Sequence, residues 1–228
     1  MGLAHDILPD TNVDREWTKS GKWAMLVLTT ASTFITIAFT TPYWLESDPR
    51  FYQSKVAHVG LWVHCFRSLP DFYDLKNERY FAGCRWLYNP FTEGYSNIRN
   101  ILAPPFFVAT QFFFTICFTT MLLSIVLVLI YLLCIDEYYR VRMLRWTGFD
   151  LILSGGFGAV ALIVFGIYGD GRDYMPDWEN NYISWSFGLG FVGVVMEFVS
   201  GVLFIVESRI MLRKEIAREK QYPMEKRV

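Results

Sequence analysis

Few side chains in this sequence can do chemistry, and their spacing narrows what that chemistry is. Cys65 and Cys84 share one segment, with His58 and His64 just before the first of them. Two thiols so placed form either a disulfide, if the segment meets an oxidising exterior, or half of a zinc site that recruits the histidines. On an extended strand His64 and Cys65 point to opposite faces, which weakens the zinc reading. Glu197 and Gln111 are polar residues within long apolar stretches, where a carboxyl or amide is costly unless it has a task or a partner. Cys117 reads as a small apolar filler. Cys134, beside Asp136 and Glu137, sits where a juxtamembrane cysteine takes a palmitoyl chain. The sequence has no Gly-rich phosphate loop, no Ser/His/Asp arrangement, no HExxH and no CxxC, and only 3 histidines. No enzyme, cofactor or metal is expected.

The elements that must hold these residues are set by hydropathy. The chain has 228 residues, is 53% hydrophobic and carries a net charge of -1, so bulk charge points to no nucleic acid partner. Its apolar residues gather in four blocks, each long enough to cross about 30 Å of hydrocarbon as a helix. We place them at residues 23–43, 103–135, 147–168 and 183–206. The polar residues before the first block and the length of its apolar run mark it as a retained span rather than a cleaved signal. Between the spans lie a large loop at 44–102, a short one at 136–146 and another at 169–182, with tails at 1–22 and 207–228.

Charge asymmetry orients them. Arg140, Arg142 and Arg145 follow the second span, Lys19 and Lys22 precede the first, and Arg209, Arg213 and Lys214 follow the fourth. With four crossings all of these fall on one side, which the positive-inside rule makes the cytoplasm. The loop at 44–102 is then extracellular. Within it, residues 56–67 and 80–88 are rich in β-branched and aromatic residues and read as two strands of a small antiparallel sheet. The exterior is oxidising, so a Cys65–Cys84 disulfide is expected, worth roughly 3 kcal/mol from chain entropy.

Trp44 at the end of the first span, then Gly60-Leu61-Trp62, then Cys65 and Cys84, resembles the W…GLW…C…C signature of claudins and their peripheral-myelin-protein-like and calcium-channel-gamma-like relatives. Arg99 before the second span and Trp185 at the start of the fourth extend the likeness. The longer spacing between the cysteines is closer in style to the claudin-like proteins of invertebrate septate junctions. The resemblance implies a left-handed four-helix transmembrane bundle under an extracellular antiparallel β-sheet, to which the second loop adds a strand. It also implies a plasma-membrane protein of cell–cell junctions. Such a protein associates with itself or other claudin-like proteins, laterally and head to head, to form a paracellular barrier. The alternative is an auxiliary, gamma-like subunit of a channel or receptor.

Arg67, Asp71, Asp74, Lys76, Glu78, Arg79 and Arg85 crowd the stapled hairpin in mixed sign, so neither cation nor anion selectivity is assigned. Val228 gives the chain an apolar end suited to a PDZ groove, but Lys226 stands where that groove prefers a hydroxyl or apolar side chain, and no scaffold is assigned.

Overall fold

The computed structural model describes residues 17–48, 50, 55–71, 74, 78, 80–88, 102–134, 137–169, 171, 174 and 180–221. Four long helices dominate: α1 (Lys19–Thr40), α2 (Pro105–Cys134), α3 (Glu137–Tyr168) and α4 (Trp185–Gln221). All four are long and apolar enough to cross a membrane. Helices α3 and α4 run past their apolar stretches at the end remote from the sheet. There the segment following residue 136 continues as helix despite its arginines, because Tyr, Arg, Met and Leu are all adequate helix formers.

Helix α4 packs between α1 and α3, and α2 packs on α3. In α1 the buried positions are Gly21, Ala24, Leu28, Ala31, Ile35 and Ala38, an alternating spacing of three and four that draws one seam along the helix. The seam is built of small residues because lipid supplies no hydrophobic drive between helices and only close contact does. Glycines on α4 and α3 make that contact possible. A Cβ on Gly193 would lie 2.8 Å from Ile35, and one on Gly148 would lie 2.6 Å from Ile205 and 2.8 Å from the Gly201 carbonyl oxygen. Large apolar side chains such as Phe112, Leu133, Leu153, Ile163 and Phe191 instead face outward, the side a bilayer covers. The threonines of α1 spend their hydroxyls on their own helix: Thr33 donates to the Thr29 carbonyl at 2.9 Å and Thr36 to Ser32 at 2.7 Å.

Five strands form one antiparallel sheet in the order β4-β3-β2-β1-β5, comprising β1 (Leu45–Ser47), β2 (Val56–Val59), β3 (Val63–Pro70), β4 (Tyr80–Trp86) and β5 (Asn181–Ile183). The second loop thus contributes the edge strand β5, as the resemblance implied. One expectation is corrected: residues 56–67 are two strands rather than one. The chain reverses at Gly60-Leu61-Trp62, where the Gly60 N–H donates to the Val63 carbonyl at 2.9 Å. Strand propensity on both sides hid the turn, because the turn is enforced from outside by the end of α1. A Cβ at Gly60 would lie 2.4 Å from Pro42 Cα.

The glycines give a paired prediction. Gly148→Ala forces a methyl into the α3–α4 contact and should cost about 1–3 kcal/mol. Gly156→Ala meets nothing within 4 Å and should be neutral or stabilising, since alanine is the better helix former. Thermal unfolding of the two purified variants checks this; equal melting temperatures would contradict the packing described.

Candidate functional site

Facing cross-strand residues sort the sheet into two faces. The outward face carries a row in register, Tyr182–Glu46–His58–Cys65–Cys84. Cys65 and Cys84 are joined by a disulfide. Both thiols are consumed in that bond, so neither is a zinc ligand. His64, one residue from Cys65, points to the other face, as period-two geometry requires. His58 packs tilted against Tyr43, ring centroids 4.7 Å apart, and Tyr43 in turn against Trp185 at 5.3 Å. Glu46 accepts a hydrogen bond from the Ser184 hydroxyl at 2.9 Å, which ties β1 to the start of α4.

At the free edge, β4 exposes Tyr80 and Trp86, both more than half accessible, around the disulfide. Gly83 takes a positive φ of 82° in mid-strand, opposite Phe66, where the β3–β4 register is about to shift. Arg67, Asp71, Asp74, Glu78 and Arg85 lie on or beside this hairpin, Asp71 buried and Glu78 exposed. Lys76, Arg79 and Arg99 lie outside the described residues.

The inward face is bolted to the bundle by Trp44. Its indole is fully buried and meets Phe114 of α2, Phe165 of α3 and Phe187 of α4 edge-to-face, at 5.1, 5.0 and 5.6 Å. The indole N–H donates to the Ala38 carbonyl of α1 at 2.7 Å. Its backbone N–H donates to Val59 and its carbonyl accepts from Ser184. One residue therefore touches all four helices and two loops. Leu61 is buried beneath the sheet, and Trp62 packs on Phe39 of α1 at 5.4 Å. Gln111 of α2 reaches up rather than across: its amide donates to the Leu61 carbonyl, and its own carbonyl accepts from Tyr88 at 2.9 Å. The GLW segment is held from below by a polar bond inside an apolar shell.

His64 is also buried here, edge-on to Phe107 at 5.4 Å. Burial, only partly offset by the Gly60 backbone, pushes its imidazole down to about 3. Neither ring nitrogen makes a hydrogen bond of good geometry.

Lower in the bundle, Glu197 of α4 is fully buried, and the Cys117 thiol lies 3.5 Å from one of its oxygens. Ser154 of α3 donates to the Cys117 carbonyl at 2.8 Å. Asp150 accepts from Ser124 at 2.6 Å. These groups knit α2, α3 and α4 together, so Cys117 does more than fill space. Cys134 closes α2, and its side chain lies outside those described. Sequence reasoning missed Glu207. Its fully buried carboxylate accepts from both the backbone N–H and the hydroxyl of Thr18, capping α1 from α4. A partner 189 positions away leaves no local signal to find. Among the described residues no group of three or more metal-ligating side chains converges.

A family model described as PMP-22/EMP/MP20/Claudin tight junction matches residues 29–206. No curated protein matches the chain.

Two predictions concern the joint. An imidazole held neutral well below its ordinary 6.5 leaves stability unchanged above that pH and lowers it below. As pH falls from 6.5 toward 3, the unfolded chain binds a proton that the fold does not, at a cost of up to about 1.4 kcal/mol per pH unit. His64→Phe should flatten that part of the acid-unfolding profile; an unchanged profile would mean that other groups set it. Gln111→Leu removes the amide donor from the Leu61 carbonyl and should cost about 2 kcal/mol in denaturant unfolding. A change within error would show that the amide bonds are dispensable.

Proposed function

The chain belongs to the PMP-22/EMP/MP20/claudin family and is a multi-pass membrane protein, and from that premise we propose that it is a cell–cell junction protein acting through its extracellular sheet. Both termini lie in the cytoplasm, the sheet faces the neighbouring cell, and lateral and head-to-head association of such sheets builds a paracellular barrier. The observation that carries this reading is a rigid, stapled sheet seated directly on the bundle. Trp44 and the Gln111–Leu61 bond fix it from below, and the Cys65–Cys84 disulfide fixes the hairpin that projects farthest along the sheet order.

Rigidity matters because a contact surface that is already ordered loses little entropy on binding. The exposed Tyr80 and Trp86 beside the disulfide supply the aromatic area that interface centres favour. The partners are further copies of this chain or of other family members.

The test is made in cells that lack junctions. Tagged protein should accumulate where two expressing cells touch, and Cys65→Ser protein that still reaches the surface should not. Uniform surface distribution of both forms would overturn homotypic adhesion. Antibody access to each terminus without permeabilisation tests the orientation separately.

A further inference from the structure

The end of the bundle remote from the sheet carries a set of cations whose relative heights are fixed by contacts already described. Glu207 grips Thr18, and the Ser200 hydroxyl donates to the Ala24 carbonyl at 3.0 Å, which sets α1 against α4. Gly148 lies against Gly201 and Ile205, and Gly155 against Phe198, which sets α3 against α4. Both neighbours run antiparallel to α4. Counting along the helices at 1.5 Å per residue, Lys19 stands level with residue 206, Arg145 with about 207, and Arg142 with about 210. Arg209 belongs to α4 itself. These four cations, drawn from three helices, fall within about 6 Å of one another along the axis. Lys22 lies about a turn above them and Arg213 about a turn below.

By the same count the exposed Trp23 stands level with about residue 202 and the exposed Trp146 with about 206, so Lys22, Lys19 and Arg145 lie between or beside the two rings, and Arg209 and Arg142 lie within about 6 Å below Trp146. Trp23 and Trp146 are 62% and 64% accessible, the exposure expected of rings at a membrane–water interface. None of the six cations has an ion pair with another described residue. The carboxylate at the same height, Glu207, is buried and occupied with Thr18, so it does not neutralise them from outside. Asp150 is likewise engaged, by Ser124. The exposed Glu215 lies about 9 Å farther from the tryptophans than Arg209.

We propose that this collar is a binding site for a phospholipid whose headgroup carries more than one phosphate, held by Arg142 and Arg145 of α3 and Arg209 of α4, with Lys19 and Lys22, which lie off the α1 seam that meets α4, adding charge from the flank. The positive-inside rule asks only that cations lie on the cytoplasmic side; it does not require three helices to present them at one height with no ion-pair partner among the described residues. Guanidinium groups take phosphate oxygens in bidentate pairs, and several converging on one headgroup favour a concentrated charge over the same charge spread across many lipids. The proposal rests on the orientation given above, since such lipids face the cytoplasm.

The experiment uses the full chain, purified and placed in phosphatidylcholine nanodiscs. The discs carry either phosphatidylinositol bisphosphate or phosphatidylserine at matched total charge, and native mass spectrometry counts retained lipid. The bisphosphate lipid should be retained preferentially. Each cation near an anionic surface strengthens binding by about fivefold, so R142Q/R145Q/R209Q should bind about a hundredfold more weakly. R142K/R145K/R209K should recover most of the affinity. Readings are taken on variants that melt as the parent does; K19Q/K22Q, on the α1 flank, provides a second depleted variant. Equal retention of phosphatidylserine, or undiminished binding by both glutamine variants, would overturn the site. Binding in discs is independent of cell contact, so loss of junctional enrichment leaves this result standing. A basic end found outside the cell would remove its biological ligand without altering the measurement.

Discussion

Trp44 stands in the short stretch between a helix that ends at Thr40 and a strand that begins at Leu45, and it joins the two. Its indole is the piece of the outer segment that never leaves the bundle: three phenylalanines from three helices close on it, and the first helix accepts its N–H. Its backbone meanwhile behaves as sheet, bonded to Val59 and to Ser184. An aromatic of this size buries a large apolar area and satisfies its single polar atom, which is why a tryptophan suits the position better than a phenylalanine. Everything in the sheet inherits its height and tilt from that anchor.

The GLW segment is the second half of the same joint. Gly60 lets the chain pass against Pro42, Leu61 drops into the core, and Trp62 leans on Phe39. The strands of the sheet are short, β1 and β5 only 3 residues each. Fixed by Trp44, by the Gln111 amide and by the disulfide at its far hairpin, the sheet becomes a stiff extension of the bundle. That stiffness holds the outer surface in one shape.

The bundle carries many bulky apolar side chains on its outer surface, while its interior mixes phenylalanines with small residues and scattered polar ones. Several of these polar groups bond to a partner on another helix. Ser200 finds Ala24, Ser154 finds Cys117, Asp150 finds Ser124, and Glu207 finds Thr18. Such bonds contribute modestly each. Their greater effect is register, because a helix that slid by one turn would strand several polar groups at once.

Much of this was legible in the residues. Four apolar stretches determined four crossings, because hydrocarbon of fixed thickness demands helices of fixed length, and the arrangement of Arg and Lys grouped both tails on one side. Trp44, Gly60-Leu61-Trp62 and the two cysteines identified the outer sheet and its staple, and alternation along the strand placed His64 and Cys65 on opposite faces. Tertiary structure alone decided the rest. The break between β2 and β3 is imposed by the end of α1, and no local preference announces it. Gln111 read only as a polar residue in need of a partner within an apolar stretch, and it turned out to hold the sheet. Cys117 gained a carboxyl neighbour, and Glu207, which looked like the start of a charged tail, became the buried cap of α1. These outcomes share one physical reason. Periodicity and composition report what each segment must bury, but a side chain's partner depends on which distant segment arrives opposite it, and that is set only when the helices pack.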